Sequence, residues 1–164
     1  MTTFTSFDEI LNFIRKNISK ALENEVASTV RKVEQKHIDT DVYGQYTPVL
    51  YQRRGMAGRG LIASENIVGR LVDDLTLRVT NETPPYPNAA YESHSSRVTT
   101  NKNLPVLIEY GESDKFHNDF PYNLAFIKPR PFTQKTYKDL VESGDCAKAL
   151  CDGLKKRGID AKTV

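Results

Sequence analysis

Apolar residues recur at helical spacing from the start of the chain: Phe7, Ile10, Leu11, Ile14, Ile18, Ala21, Leu22, Val26, Val30 and Val33. Three- and four-residue steps put these side chains on one narrow stripe, close to a heptad repeat, with polar residues around it. Ser6-Phe7-Asp8-Glu9 has the form of a capping box, in which a hydroxyl and a carboxylate satisfy two amides orphaned at a helix start. No proline or glycine interrupts residues 6–43. The pattern predicts one helix from about residue 7 to about 37, roughly 45 Å long at 1.5 Å per residue. Such a helix outreaches its own domain and is expected to pack partly on something outside it. The alternative is two helices broken near Asn17 or Asn24.

Residues 38–60 read as an irregular arm, because Pro48 and the glycines at 55, 58 and 60 suit neither a helix interior nor a central strand. The period then changes to two. Leu75, Leu77 and Val79 alternate with Thr76, Arg78 and Thr80, a half-buried strand, and Ile67–Val72 precedes it across the turn residues Asp73-Asp74. Residues 81–103, with prolines at 84, 85 and 87, form a long loop of the kind that is functional or orders on binding. Leu104–Tyr110 reads as a third strand ended by Gly111. Pro131 can open a helix at its first turn. Ser143-Gly144 stops that helix, and a last one runs from Asp145 to Lys155-Lys156-Arg157, with Gly158 placed for a left-handed cap. The expected fold is α+β: an antiparallel sheet packed against a long N-terminal helix and C-terminal helices. The 164 residues make a single domain, with an interface arm at about 38–60 and a long loop at about 81–103.

Composition narrows the classes. Hydrophobic residues make up 38% and mean hydropathy is −0.52, so the core is modest and a partner would help it. A net charge of +2, from 23 basic and 21 acidic residues, gives no global field for nucleic acid. The start lacks a signal-peptide pattern, and no apolar run approaches the roughly 20 residues that cross a bilayer. A soluble protein made in a cytoplasm is expected, with no membrane partner. Cys146 and Cys151, five apart, would face different sides of a helix and read as free thiols.

Candidate chemistry is sparse. His37, His94 and His117 are far apart, without a second ligand at metal spacing, so no metal and no cofactor are expected. Asp73-Asp74 reads as a turn rather than an acid–base pair. The glycine cluster lacks the lysine-serine of a phosphate loop. The chain therefore reads as no enzyme, with no catalytic residues. The informative run is Val42 to Arg54, where Tyr43, Tyr46, Pro48, Tyr51, Arg53 and Arg54 supply rigid amphipathic surface and fixed positive charge, joined by Arg59. Tyrosine and arginine are enriched in protein–protein hot spots. The competing reading is a small nucleic-acid-binding module using the Tyr/Arg-rich 43–59 segment, whose tyrosines would stack and arginines hold phosphate. An enzyme or enzyme inhibitor would need a ligand or metal that the sequence does not announce.

The Val-Tyr-x-x-Tyr-x-Pro-x-x-Tyr-x-Arg-Arg run at 42–54 resembles one in small head–tail joining (neck) and minor tail proteins of long-tailed bacteriophages. Glu109-Tyr110-Gly111, Arg130-Pro131-Phe132 and the ending Leu154 to Ile159 resemble later motifs of that family, in the same order. The resemblance implies a structural virion protein of the neck or upper tail, assembled in the host cytoplasm. It implies a homo-oligomeric ring at the head–tail junction, in contact with neighbouring connector or tail proteins. Genome DNA would pass through the channel and be touched only non-specifically. Tyr43, Tyr46, Pro48, Tyr51, Arg53, Arg54, Arg59, Arg130 and Phe132 are the expected interface residues. The 81–103 loop and the very long first helix have no counterpart in the pattern.

Overall fold

The computed structural model describes residues 3–45, 60–84, 104–111 and 128–163. They fall into two compact units, each discontinuous in sequence. Unit 1 takes residues 3–33, 68–80 and 136–163; unit 2 takes 34–45, 60–67, 81–84, 104–111 and 128–135.

The N-terminal stripe folds as predicted and runs further. Helix α1 spans Phe7–Ala21 and helix α2 spans Ala27–His37, with π-helical turns at Leu22–Val26 and Ile38–Tyr43. The backbone at Ala21, Leu22 and Ala27 stays in the right-handed helical region, so the path is continuous. The asparagines do not break it, because each side-chain amide donates within its own helix: Asn17 to the Phe13 carbonyl at 2.8 Å and Asn24 to the Lys20 carbonyl at 2.7 Å. Each wide turn closes with a bond five residues long, Ala27 N–H to the Leu22 carbonyl and Gly44 N–H to the Asp39 carbonyl at 2.7 Å. The start of the expected irregular arm is thus corrected: residues 38–43 are helical, since nothing before Gly44 lacks a helix-compatible backbone. Ser6 caps α1 through its hydroxyl, which accepts from the Glu9 N–H at 3.2 Å. The Glu9 carboxylate reaches one residue past the usual partner, to the Thr5 amide at 2.8 Å and hydroxyl at 2.9 Å. Those bonds hold its carboxyl below the ordinary range.

In unit 1 the sequence alternation produces a hairpin. Strand β1 is Ile67–Asp73 and β2 is Thr76–Asn81, and only these two strands pair among the described residues. The Asp73 carboxylate accepts from the Leu75 amide at 2.8 Å, so it pins the turn. Gly69 lets the hairpin close on the helix: a Cβ there would stand 2.9 Å from the Ala27 Cβ. Ser19 donates to the Asp74 carbonyl at 2.7 Å and fixes the hairpin tip beside α1. The fold is therefore α+β, with the antiparallel sheet against the long helix.

The third strand is a correction. Leu104–Tyr110 is helix α3. A short continuous apolar run carries no period that separates strand from helix, and Pro105 falls in the first turn, where its missing N–H costs nothing. Helix α4 follows at Phe132–Ser143 and α5 at Asp145–Lys156, separated by Gly144 at φ +66°. Gly158, at φ +80°, ends α5 in a Schellman turn, with the Ile159 N–H on the Leu154 carbonyl at 3.0 Å. Helix α5 belongs to unit 1, where Gly153 meets α1: a Cβ would lie 2.8 Å from the Ala21 Cβ. Arg157 then bonds Glu25 at 2.9 Å, and Lys156 adds a contact at 3.5 Å.

Candidate functional site

Glu34, His37 and Asp41 lie three and four residues apart, so they share one face where the long helix enters unit 2. Glu34 is 5% exposed. Its carboxylate accepts from the Asn81 side-chain amide at 3.0 Å, which also donates to the Leu61 carbonyl at 3.0 Å. The Asn81 oxygen in turn accepts from the Thr83 hydroxyl at 2.5 Å. Burial pushes the Glu34 carboxyl above its ordinary range, and the Glu109 charge adds to that, against the Asn81 hydrogen bond.

Glu109 comes from α3 and is also buried. Its two oxygens accept from the first amides of α4, Thr133 N–H at 2.8 Å and Gln134 N–H at 3.0 Å. A carboxylate distant in sequence thus caps a helix whose positive end favours it. Asp41 accepts from Lys135 Nζ at 2.6 Å and pairs with His37 Nδ1 at 2.8 Å. Burial opposes its ionisation, but the bonds and charges of Lys135 and His37 outweigh it and hold the carboxyl below the usual range. These contacts engage the Glu109 carboxylate with a helix terminus, that of Asp41 with Lys135 and His37, and that of Glu34 with the Asn81 amide, so the cluster ties the elements of unit 2 together. No group of three or more His, Cys, Asp or Glu is arranged to hold a metal ion among the described residues. Cys146 and Cys151 are unbridged, and burial together with Asp145 raises the Cys146 thiol.

Beside the cluster, Asp41, Gln45, Lys128, Pro129, Arg130, Pro131 and Lys135 line a pocket of about 360 Å³ in unit 2. It brings Arg130 and Lys135 close to the end of the long helix, where Tyr43 is half-buried. Of the expected interface residues, Arg130 thus sits on a polar concavity. Tyr46, Pro48, Tyr51, Arg53, Arg54 and Arg59 lie outside the described residues, as do His94, His117 and most of the 81–103 loop. Phe132 is corrected: at 0% exposure it belongs to the core of unit 2 and has no surface to offer a neighbour. An aromatic at the first position of a helix behind Pro131 points into whatever that helix packs on. Sequence reasoning missed Glu34, Glu109 and Asn81, because Glu34 and Asn81 are 47 residues apart and Glu109 finds its partners 24 and 25 residues away. Only an acidic residue in an otherwise apolar run, Glu109 in Leu104–Tyr110, could have signalled it.

Large apolar side chains also remain in water. Phe7, Val72, Leu75, Tyr137 and Val141 are exposed in unit 1, and Val106 and Tyr110 in unit 2. Tyr137 and Val141 are one helical turn apart, as are Val106 and Tyr110, so each pair makes a small apolar ridge. No helix among the described residues is long and apolar enough to cross a membrane.

Comparison with known proteins places the chain. No solved structure matches it. The SPbeta prophage-derived uncharacterized protein YomN of Bacillus subtilis (strain 168) is 28% identical over 144 residues, covering 88% of this chain and 86% of that one. That relationship supports a phage-derived origin. The YomN family matches residues 6–156, from the cap of α1 to the last residue of α5, and so takes in every helix and strand described above. The chain belongs to the YomN family.

Proposed function

We propose that this protein is a structural virion component of the phage neck or upper tail, without catalytic activity, whose copies form a ring at the head–tail junction. The observation that carries the reading is the set of exposed apolar side chains on both units, from 54% at Val72 and Val106 to 74% at Tyr110, on a chain with a modest core. Paired apolar ridges such as Tyr137/Val141 and Val106/Tyr110 are surface that neighbouring subunits cover in an assembly. A prophage-derived relative and the resemblance of the 42–54 run to neck and minor tail proteins supply the setting. The partners are other copies, adjacent connector or tail proteins, and the passing genome.

In this reading Tyr43, Tyr46, Tyr51, Arg53 and Arg54 contact other subunits, and Arg130 joins them from the pocket rim. The paired replacement Tyr46→Ala with Arg53→Ala separates assembly from folding. Loss of oligomer with the thermal midpoint of the dissociated subunit unchanged is expected. An equal loss of stability in a protein that is monomeric to begin with would place these residues in the core and count against the proposal. Contact with DNA should be feeble, salt-sensitive and indifferent to sequence.

A further inference from the structure

We infer that the β1–β2 hairpin tip of one copy docks head to tail into the cationic pocket in unit 2 of a second copy. All five residues from Val72 to Thr76 at the tip are exposed, Val72 at 54% and Leu75 at 56%. Between those two apolar residues stand Asp73 and Asp74, so the tip carries two negative charges flanked by apolar side chains. It is also held in one shape. The Asp73 carboxylate accepts from the Leu75 amide at 2.8 Å, and Ser19 donates to the Asp74 carbonyl at 2.7 Å. A preformed tip loses little conformational entropy on docking.

The pocket matches this tip in charge and in wall. Lys128, Arg130 and Lys135 line it against the single carboxylate of Asp41, which leaves two positive charges for the two negative ones of the tip. Pro129 and Pro131 supply apolar wall for Val72 and Leu75. Their fixed φ stiffens that segment, and the Arg130 amide ties it to α3 through the Ile108 carbonyl at 2.9 Å. Glu109 already occupies the Thr133 and Gln134 amides, so the attraction comes from the side chains rather than the helix end. A concavity of about 360 Å³ suits a compact turn, whereas a DNA duplex needs an extended positive surface for its phosphates. Gln45, also in the lining, belongs to the 42–54 run. The contact is therefore continuous with the surface that the proposed function gives to neighbouring subunits, and the inference rests on that reading.

Tip and pocket are different surfaces, so each copy gives a tip to one neighbour and a pocket to the other. Such a heterologous contact propagates and closes into a ring when its rotation allows. The test is multi-angle light scattering of the full chain with Asp74→Lys, of the full chain with Lys128→Glu, and of the two mixed. Both side chains are exposed, and far-ultraviolet circular dichroism of each variant should match the wild type. Asp74→Lys brings the tip to no net charge, and Lys128→Glu does the same for the pocket. The wild type is expected as a multimer, and each variant alone should dissociate, its contact about tenfold or more weaker. An equal mixture keeps one native contact per pair, the tip of the Lys128→Glu chain in the pocket of the Asp74→Lys chain. A one-to-one dimer should therefore appear on mixing. If either variant misfolds, Asp74→Asn and Lys128→Gln take their places, with the same order of masses and smaller losses. Variants that keep the wild-type mass overturn this contact and leave the ring reading standing. Variants that dissociate without pairing on mixing overturn it as well. A wild type that stays monomeric at every concentration overturns the ring reading and this contact together.

Discussion

The two units are held by different physics. Unit 1 closes through small residues: Gly69 against Ala27 and Gly153 against Ala21, each so tight that a Cβ would stand under 3 Å from its neighbour. Unit 2 closes around large apolar side chains, Ile38, Ile67 and Phe132, and adds buried polar groups, with Glu34, His37, Asn66, Thr83 and Glu109 all below one-tenth exposed. Close packing of small residues tolerates no added volume but is indifferent to pH. A buried carboxylate network tolerates shape changes poorly too, and in addition couples stability to protonation. The long helix thus contributes to two kinds of core, and each should fail under its own perturbation.

The largest effect should come from crowding unit 1. Gly153→Val adds a branched side chain where the Ala21 Cβ and the Glu25 carboxylate already lie 2.8 Å from a Cβ position. A loss of about 3 kcal/mol in chemical denaturation is expected. A neutral result would mean that α5 moves freely on α1. Next comes the cap supplied across unit 2: Glu109→Ala removes both acceptors from the Thr133 and Gln134 amides. It should cost about 2 kcal/mol, and hydrogen exchange should rise first at the start of α4.

The polar core makes a pH prediction opposite in sign to that of the lowered Glu9 carboxyl in unit 1. The Glu34 carboxyl is raised in the folded state, so its stabilising protonation is fully present below the unfolded value of 4.5 and is lost as pH rises through the folded value. Glu34→Gln keeps an oxygen for Asn81 and removes the titration. The variant should melt higher than the wild type at about pH 8, with the gap closing toward about pH 4. A pH-independent gap would assign the effect to packing. The smallest effect belongs to the surface of unit 1: Ser6→Ala deletes the cap on the Glu9 amide and should cost about 0.5–1 kcal/mol, seen as fraying of α1.

What the sequence made legible follows the same divide. Unit 1 rests on local periodicity: the α1 stripe, the alternation of Thr76 to Thr80, Gly144 and Gly158 all act within a few residues and appear where the pattern placed them, whereas Leu75 falls in the turn and is exposed. The turn residues shifted by one, because Asp73 stays in the strand and pins the turn with its side chain. Unit 2 rests on partners far along the chain, so Glu109 as a cap and Asn81 as a bridge left no periodic trace. Leu104–Tyr110 was misread for the same reason, since a seven-residue apolar run takes its form from what surrounds it. Phe132 was assigned to an interface on its aromatic character, although burial is decided by packing. The Asn17 and Asn24 side chains look like breakers in sequence and act as helix-satisfied donors in the fold.

On the proposed function this protein works as an assembled subunit. Its most direct test is the mass of the purified full-length chain by light scattering after size exclusion, with the same peak imaged by electron microscopy. A mass of many copies and particles with a central opening are expected. A monodisperse peak of one 18.6 kDa chain, unchanged at high concentration and without rings on the grid, would contradict it.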